Sequence, residues 1–307
     1  MPRAKVLVCD PISDEAIRLL RESEKVQVVN SPAITQGELL ETAGEYDAFI
    51  VRSRTKITKQ VIEKAVRLKV IGRAGVGVDN IDSEAAAERK VKILNTPDAL
   101  TNAVAEFTVG LMLCLARKIP QAHDSLRNGQ WLKSSFHGTE LSGSTYGTIG
   151  IGRIGRRVAA LSSAFGMKII ANDVIPVPPD LIERYNIEVS SQEEVFERAD
   201  FVDLHVPLTP ETTHLVNYDK LRKMKRSAYL INTARGKVVD ENALVKALNE
   251  NLIAGAALDV FEVEPPTRNE LLKSDKVILT PHIAGQTIES QLKAGTQIAE
   301  LVLNAFD

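Results

Sequence analysis

The sequence predicts an α/β protein made of two doubly wound parallel-sheet domains. With 307 residues, the chain exceeds the usual single-domain size of roughly 100–200 residues. Short apolar runs alternate with helical patterns in two separate series, which is typical of parallel sheets. A long apolar, helix-forming stretch at residues 101–127 separates the series. We therefore expect one parallel sheet in each series.

The first series predicts five strands, at residues 5–9, 26–29, 48–51, 70–71 and 92–94. Helical patterns lie between them at residues 14–22, 36–41, 58–65 and 83–90. Ser13, Thr35 and Asp82 precede three of these patterns and are predicted helix N-caps.

The second series begins with a strand at residues 146–149 and a helix at 153–165. Further strands are predicted at residues 168–171, 201–204, 228–231, 255–258 and 277–279. The stretch at 101–127 should break near Pro120, and residues 286–305 predict a long amphipathic last helix.

Composition favours a small-molecule partner. The 38 Lys and Arg nearly balance the 40 Asp and Glu, so there is no electrostatic footprint for nucleic acid or an anionic membrane. We expect a cytoplasmic protein without a membrane span, because no run reaches roughly 18 apolar residues. Cys9 and Cys114 should be buried free thiols, and no His, Cys, Asp and Glu grouping has metal-ligand spacing.

A glycine pattern follows the first strand of the second series: Gly150-Ile151-Gly152-Arg153-Ile154-Gly155. Between a strand and a helix, such glycines permit a tight turn and let a pyrophosphate approach the backbone amides at the helix N-terminus. This context predicts a Rossmann-type dinucleotide site, with Arg153 and Ile154 also in contact with the cofactor.

Asp173 follows the next strand and can accept hydrogen bonds from the adenosine ribose hydroxyls. Its negative charge would repel a 2′-phosphate, so we expect NAD rather than NADP. The alternative is a solvated loop carboxylate.

Hydride transfer from a 2-hydroxy acid needs a cation for the carboxylate and a base for the hydroxyl proton. Arg235 and His282 each follow a predicted strand, and Glu264 follows the strand between them in the sequence. A carboxylate beside the imidazole would stabilise its protonated form. The alternatives are a surface cation for Arg235 and a packed structural histidine for His282.

These motifs together resemble those of the D-isomer-specific 2-hydroxyacid dehydrogenase family. They are Ile231-Asn232-Thr233-Ala234-Arg235-Gly236, the segment 259–266, and Pro281-His282-Ile283-Ala284-Gly285. The resemblance implies that Arg235, Glu264 and His282 are catalytic and that Asp259 meets the nicotinamide amide. It also implies further cofactor contacts from Val206, Thr233, Ala234, His282 and Gly285.

The resemblance further implies the domain roles. A flavodoxin-like substrate-binding domain would comprise residues 1–97 and 286–307, and an NAD-binding Rossmann domain would comprise residues 98–285, with a cleft between them. A homodimer or homotetramer is expected. Because the sequence ends at Asp307, we expect no serine-sensing regulatory domain and no inhibition by serine.

Three segments, at residues 51–56, 72–80 and 131–141, resemble members whose substrate is a phosphorylated 2-hydroxy acid. Arg52, Arg54 and Arg73 follow strands of the first series and could bind a phosphate. The alternative for each is a surface charge, since the sequence does not show that the three side chains converge. The full set of expected substrate contacts is Arg52, Ser53, Arg54, Arg73, Gly75, Val76 and Arg235.

Two other functions stay open: a glyoxylate or hydroxypyruvate reductase with the same catalytic residues, and an NAD-sensing corepressor. Tyr146 departs from the family pattern, which has a smaller aliphatic residue there. His205 either lines the adenosine site or packs in the core, whereas His123, His137 and His214 should lie on the surface.

Overall fold

The structure is a computed structural model that describes residues 3–266 and 270–307. The chain divides into two units, Met1–Leu100 with Gly285–Asp307 (unit 1) and Thr101–Ala284 (unit 2). The expected boundaries at residues 97 and 286 lie within three residues of these. Within the described residues, no helix is both long enough and apolar enough to cross a membrane.

The elements of the first half of the chain are β1 (Ala4–Val8), α1 (Asp14–Glu22), β2 (Val26–Asn30), α2 (Gln36–Thr42), β3 (Ala48–Val51), α3 (Lys59–Lys64), β4 (Val70–Arg73), α4 (Ser83–Glu88), β5 (Lys92–Asn95), α5 (Thr101–Arg117) and α6 (Ile119–Arg127). Those of the second half are β6 (Thr145–Ile149), α7 (Arg153–Ala164), β7 (Lys168–Asn172), α8 (Pro179–Tyr185), β8 (Ile187–Val189), α9 (Gln192–Arg198), β9 (Phe201–Leu204), α10 (Tyr218–Lys223), β10 (Tyr229–Asn232), α11 (Glu241–Asn249), β11 (Gly255–Leu258), β12 (Val277–Leu279) and α12 (Ile288–Asn304).

Unit 1 contains a parallel sheet in the order β2-β1-β3-β4-β5, which is the flavodoxin-like order. Alternate side chains of β1 and β3 enter apolar clusters on opposite faces, Leu7 and Phe49 on one and Val6 and Ile50 on the other. Helix α12 returns from the end of the chain to cover the second face with Ile298.

Unit 2 contains a parallel sheet in the order β12-β11-β10-β9-β6-β7-β8. The strand order reverses between β6 and β9, which is where dinucleotides cross in doubly wound sheets. Helices bury both faces, as parallel strands require. Both sheets confirm the predicted fold class.

The predicted caps are confirmed, since the side chains of Ser13, Thr35 and Asp82 accept first-turn amides. The break before α6 is at Lys118, which has a left-handed backbone (φ 52°), and Pro120 lies inside the first turn, where proline is tolerated. The last helix begins at Ile288, because Thr287 caps it. Strand β8 and helices α8 to α11 were not predicted.

Candidate active site

The glycine turn connects β6 to α7 at the point where the strand order reverses. Gly150 has a φ of +93°, and a Cβ there would lie 2.5 Å from the carbonyl oxygen of His205. Gly152 is the N-cap of α7, no side chain caps that end, and a Cβ on Gly152 would meet nothing within 4 Å. The backbone is therefore open at a helix N-terminus, whose first amides have no partner within the helix, an arrangement that fits a dinucleotide pyrophosphate.

Asp173 directly follows β7, and both of its carboxylate oxygens accept backbone amides. Ile151 N–H donates to Oδ2 (2.7 Å) and Ile175 N–H donates to Oδ1 (2.9 Å). A carboxylate offers about four acceptor positions, so ribose hydroxyls can still bind it. Asp173 thus holds the glycine turn in addition to its predicted ribose role.

His205 packs in the core instead of presenting its ring to solvent. Its side chain is 2% exposed, and Nε2 lies 2.7 Å from Oδ2 of the fully buried Asp203. The Tyr146 hydroxyl donates to the same oxygen (2.9 Å), and burial, followed by the charge of Asp203, raises the pKa of Tyr146. The residue that departs from the family pattern therefore belongs to a buried polar network behind the glycine turn.

The three predicted catalytic residues lie at the carboxyl ends of the neighbouring strands β10, β11 and β12. His282 Nδ1 lies 2.8 Å from Glu264 Oε2, and both side chains are a little over one third exposed. Burial alone would raise the pKa of Glu264, but the hydrogen bond and charge of His282, the Phe261 amide and the charge of Arg235 together lower it. Glu264 is therefore an anion flanked by two cationic side chains when His282 is protonated.

Asp259 anchors the turn that carries His282. It is fully buried, and its carboxylate accepts the Thr280 hydroxyl (2.6 Å) and the amides of Ile283 and Ala284 (2.9 Å each). His282 itself has a left-handed backbone with φ 55°, which costs a non-glycine residue about 1–2 kcal/mol. The turn keeps this conformation because Asp259 binds it on both sides of His282.

The Asn232 side chain holds the turn that carries Arg235. The Asn232 side chain donates to the Arg235 carbonyl (2.9 Å) and accepts the Ala234 amide (3.0 Å). The guanidinium donates to the Ala234 carbonyl (2.6 Å), and Thr233 is buried against the Thr108 hydroxyl (3.1 Å).

The other expected cofactor residues lie near strand or helix ends. Arg153 and Ile154 open α7, Val206 follows β9, and Gly285 belongs to unit 1, where it precedes α12. Their contacts with NAD remain a prediction.

In unit 1, Arg54 is engaged in holding the protein backbone. Its guanidinium donates to the carbonyls of Cys9 (2.5 Å), Pro32 and Ile34 (3.0 Å each) and lies 3.0 Å from Asp10, which is 1% exposed. This set of contacts links three loops of the unit, which is a structural role that the sequence did not reveal.

Arg52, Ser53 and Arg73 lie at the carboxyl ends of the adjacent strands β3 and β4. The Arg52 amide donates to Asp10 (2.6 Å), and burial lowers the pKa of its guanidinium. The Arg73 guanidinium folds over Gly75, since a Cβ there would lie 1.5 Å from Nη1. Val76 follows in the same loop.

Three histidines and two cysteines remain to be placed. His123, His137 and His214 are exposed, and both cysteines are free. Cys9 is buried as predicted, whereas Cys114 is only partly buried because its helix face is not fully covered. Burial raises the pKa of Cys9 well above its ordinary value. Residues 3–266 and 270–307 contain no group of three or more His, Cys, Asp or Glu side chains able to hold a metal ion.

Comparison with known proteins identifies the family. Residues 109–284 match the family described as D-isomer specific 2-hydroxyacid dehydrogenase, NAD binding domain. The chain is 50% identical over 299 residues to a D-3-phosphoglycerate dehydrogenase of Methanocaldococcus jannaschii, covering 97% of this chain and 56% of that protein. It is 44% identical over 305 residues to a hydroxypyruvate reductase of Thermotoga maritima, covering 98% of each chain.

A solved glyoxylate reductase from Paecilomyes thermophila has the same fold, with a TM-score of 0.92 at 31% identity over 100% of this chain and 96% of that one. The chain therefore belongs to the D-isomer specific 2-hydroxyacid dehydrogenase family, and unit 2 carries that family's NAD-binding domain. The predicted family and cofactor are confirmed. The chain spans about half the length of the phosphoglycerate dehydrogenase and nearly all of the hydroxypyruvate reductase.

Proposed function

We propose that this protein is an NAD-dependent dehydrogenase that reversibly oxidises D-3-phosphoglycerate to 3-phosphohydroxypyruvate, the first step of phosphorylated serine synthesis. The observation that carries the reaction class is the 2.8 Å contact between His282 and Glu264, at strand ends next to Arg235 in an NAD-binding domain. A base, a cation and a hydride acceptor are the three groups that the reaction needs.

Bound NAD supplies the hydride acceptor. Arg235 holds the substrate carboxylate with its forked guanidinium. His282 takes the hydroxyl proton at Nε2, because Glu264 engages Nδ1, while C2 gives up its hydride. Glu264 stabilises the imidazolium that results, and in reduction His282 returns the proton to the C2 oxygen.

The choice of a phosphorylated substrate rests on one relative and two arginines. The phosphoglycerate dehydrogenase at 50% identity favours it, as do Arg52 and Arg73 at adjacent strand ends of unit 1. Ser53, Gly75 and Val76 lie in the same two loops, and we propose that they also contact the substrate. Arg54 is a weaker candidate, since its guanidinium already binds three carbonyls.

A reductase acting on hydroxypyruvate or glyoxylate is the second candidate. The hydroxypyruvate reductase matches this chain over 98% of both lengths, and the engagement of Arg54 reduces the cations left for a phosphate. A corepressor that only senses NAD would bind NADH tightly yet turn over no 2-keto acid.

One substrate panel separates these functions. Purified protein is assayed with 3-phosphohydroxypyruvate, hydroxypyruvate and glyoxylate, each with NADH and with NADPH. We expect the highest kcat/KM with 3-phosphohydroxypyruvate and NADH. A higher kcat/KM with hydroxypyruvate would establish the reductase, and tight NADH binding without any turnover would establish the sensor.

The catalytic assignment is tested with His282→Ala. General acid–base catalysis contributes about 10²–10⁴-fold, so kcat should fall by that factor while the Kd for NADH stays within about twofold. His123→Ala, at an exposed position on α6, is the matched control and should retain wild-type turnover. Near-normal turnover by His282→Ala would reject the assignment.

We also propose that the protein is a cytoplasmic homodimer or homotetramer. Four large apolar side chains in or after α6 are exposed: Ile119 (49%), Leu126 (59%), Trp131 (80%) and Leu132 (43%). A contiguous exposed apolar patch marks a protein contact surface, and these four side chains are close in the sequence. Sedimentation equilibrium tests this proposal, and a monomer at micromolar concentration would reject it.

A further inference from the structure

Two glutamates of unit 2 exchange hydrogen bonds outside the three catalytic residues. The Glu241 amide donates to Glu262 Oε1 (3.0 Å), and the Glu262 amide donates to Glu241 Oε1 (2.8 Å). His214 Nε2 lies 3.2 Å from the same Glu262 oxygen. Glu241 is the first residue of α11, whereas Glu262 follows β11, so this reciprocal pair joins two connections of the sheet.

The electrostatic setting favours this pairing although both groups are acidic. The first amides of a helix have no partner within it and carry partial positive charge. Asp240 caps α11 by accepting the Ala243 amide (3.0 Å), and Glu262 accepts the Glu241 amide. Glu262 thus serves as a second cap for α11 from a distant part of the chain, and its side chain is only 27% exposed.

A second contact joins the same two connections. A Cβ on Gly236 would lie 1.8 Å from the Phe261 carbonyl carbon and 2.5 Å from the Glu262 nitrogen. The Phe261–Glu262 peptide therefore rests directly on the turn that follows Arg235, which only glycine permits. The segment that carries Glu264 is therefore held at two points. It contacts the turn after Arg235 at Gly236, and it is bonded to the start of α11 at Glu241.

The contacts continue from this pair to His282. Glu264 Oε1 accepts the Phe261 amide (3.2 Å), and Oε2 lies 2.8 Å from His282 Nδ1. Moving the Phe261–Glu262 peptide would therefore move the carboxylate that orients the imidazole.

We propose that Glu241 and Glu262 are positioning residues that hold Glu264 in register with both Arg235 and His282. This inference rests on the proposed function, because it presupposes that those three residues perform the reaction. Neither glutamate needs to touch the substrate. Each acts by fixing the backbone that presents Glu264.

The test compares Glu262→Ala with Glu262→Gln in the full chain. Alanine removes the acceptor for the Glu241 amide, and a displacement of about 1 Å can cost roughly 100-fold in rate. We expect Glu262→Ala to lower kcat about 10–100-fold with the Kd for NADH within about twofold. Glutamine keeps an amide oxygen of the same reach, so Glu262→Gln should restore kcat to within about threefold of wild type.

Glu241→Ala is the second variant and should repeat the loss of kcat, which keeps the test decisive should Glu262→Ala fail to fold. Glu250→Ala is the matched control, because Glu250 caps the other end of α11 and its side chain accepts the Tyr218 hydroxyl (2.5 Å), away from Glu262 and Glu264. Its kcat should equal that of wild type.

Several outcomes would overturn the proposal. Wild-type kcat in Glu262→Ala or Glu241→Ala would do so, as would an equal loss in Glu262→Gln. A parallel loss of NADH affinity would show a general disturbance of unit 2 instead of positioning. His282→Ala, assayed in parallel, distinguishes failure of this inference from failure of the proposed function. If His282→Ala is inactive while the glutamate variants have normal kcat, only the positioning inference fails. If His282→Ala is active, the proposed function fails.

Discussion

The substitution Asp259→Asn tests how unit 2 holds His282 in its left-handed conformation. An asparagine has one acceptor oxygen and one NH₂ group where the aspartate has two acceptor oxygens. The NH₂ group must therefore face donors that the carboxylate accepts in the wild type. These donors are either the Ala284 amide or the Thr280 hydroxyl together with the Ile283 amide. One buried donor left without an acceptor costs about 1–3 kcal/mol. Weaker bonds from the remaining donors raise the total to about 2–4 kcal/mol.

The expected loss of stability can be measured by calorimetry, and the expected loss of activity by steady-state kinetics. In a domain of about 150–250 residues, each kcal/mol lowers Tm by about 2–4 °C, so the unfolding transition of unit 2 should move down by about 4–16 °C. The kcat should fall as the His282 turn relaxes. Asp219→Asn is the control, since Asp219 is exposed and pairs only loosely with Arg222 (3.7 Å).

Two results would refute this reasoning. An unchanged Tm together with an unchanged kcat would show that the three hydrogen bonds do not hold the turn. A weaker Kd for NADH at an unchanged Tm would instead support the cofactor contact that the family resemblance implies for Asp259.

Three further outcomes follow from the site. Asp173→Ala should weaken NADH binding about 10–100-fold, because the ribose loses its proposed carboxylate acceptor and the glycine turn loses the acceptor of the Ile151 amide. It should also reduce the preference over NADPH, because the charge that opposes a 2′-phosphate is removed; equal Kd values before and after would contradict this. Against the effect of burial, the hydrogen bond and charge of His282 lower the pKa of Glu264, so the stabilisation from its carboxylate is present above its ordinary value of 4.5 and is lost as pH falls through the lowered pKa. The wild-type advantage over Glu264→Gln in urea midpoint should therefore be present at neutral pH and shrink as pH falls below 4.5; an advantage that grows with acidification would contradict this. Tyr146→Phe should lower the free energy of unfolding by about 1–3 kcal/mol, because the buried Asp203 loses a donor; a higher urea midpoint would count against that account.

The sequence predicted that the three proposed catalytic residues lie together for a topological reason. Parallel strands end at one edge of the sheet, so residues that come a few positions after β10, β11 and β12 are expected to lie near each other once the strands are recognised. Short continuous apolar runs reveal such strands, because both faces of the sheet are covered, and only β8 was missed, where one of three side chains is buried. Placement of Arg235, Glu264 and His282 therefore required no knowledge of side-chain contacts.

The residues that hold the catalytic groups could not be predicted in this way. Asp259 bonds residues that follow a different strand, and Glu262 caps a helix that begins 21 positions earlier. Their partners are set by how neighbouring connections pack, a property that periodicity and capping rules do not contain. Asp259 was expected to meet the cofactor, and its anchoring role became visible only through its three donors.

The arginines of unit 1 could also be placed from the sequence, but their contacts could not, and these contacts affect the choice of substrate. A cation after a parallel strand can either meet a ligand or satisfy carbonyls left unpaired where loops leave the sheet, and the sequence does not distinguish these uses. Arg54 satisfies carbonyls of the protein, because Asp10 and three carbonyls surround its guanidinium. Arg54→Ala should therefore destabilise unit 1, whereas Arg52→Ala and Arg73→Ala should selectively raise the KM for a phosphorylated keto acid over that for hydroxypyruvate. Equal effects of all three variants on both substrates would remove the structural argument for a phosphate site.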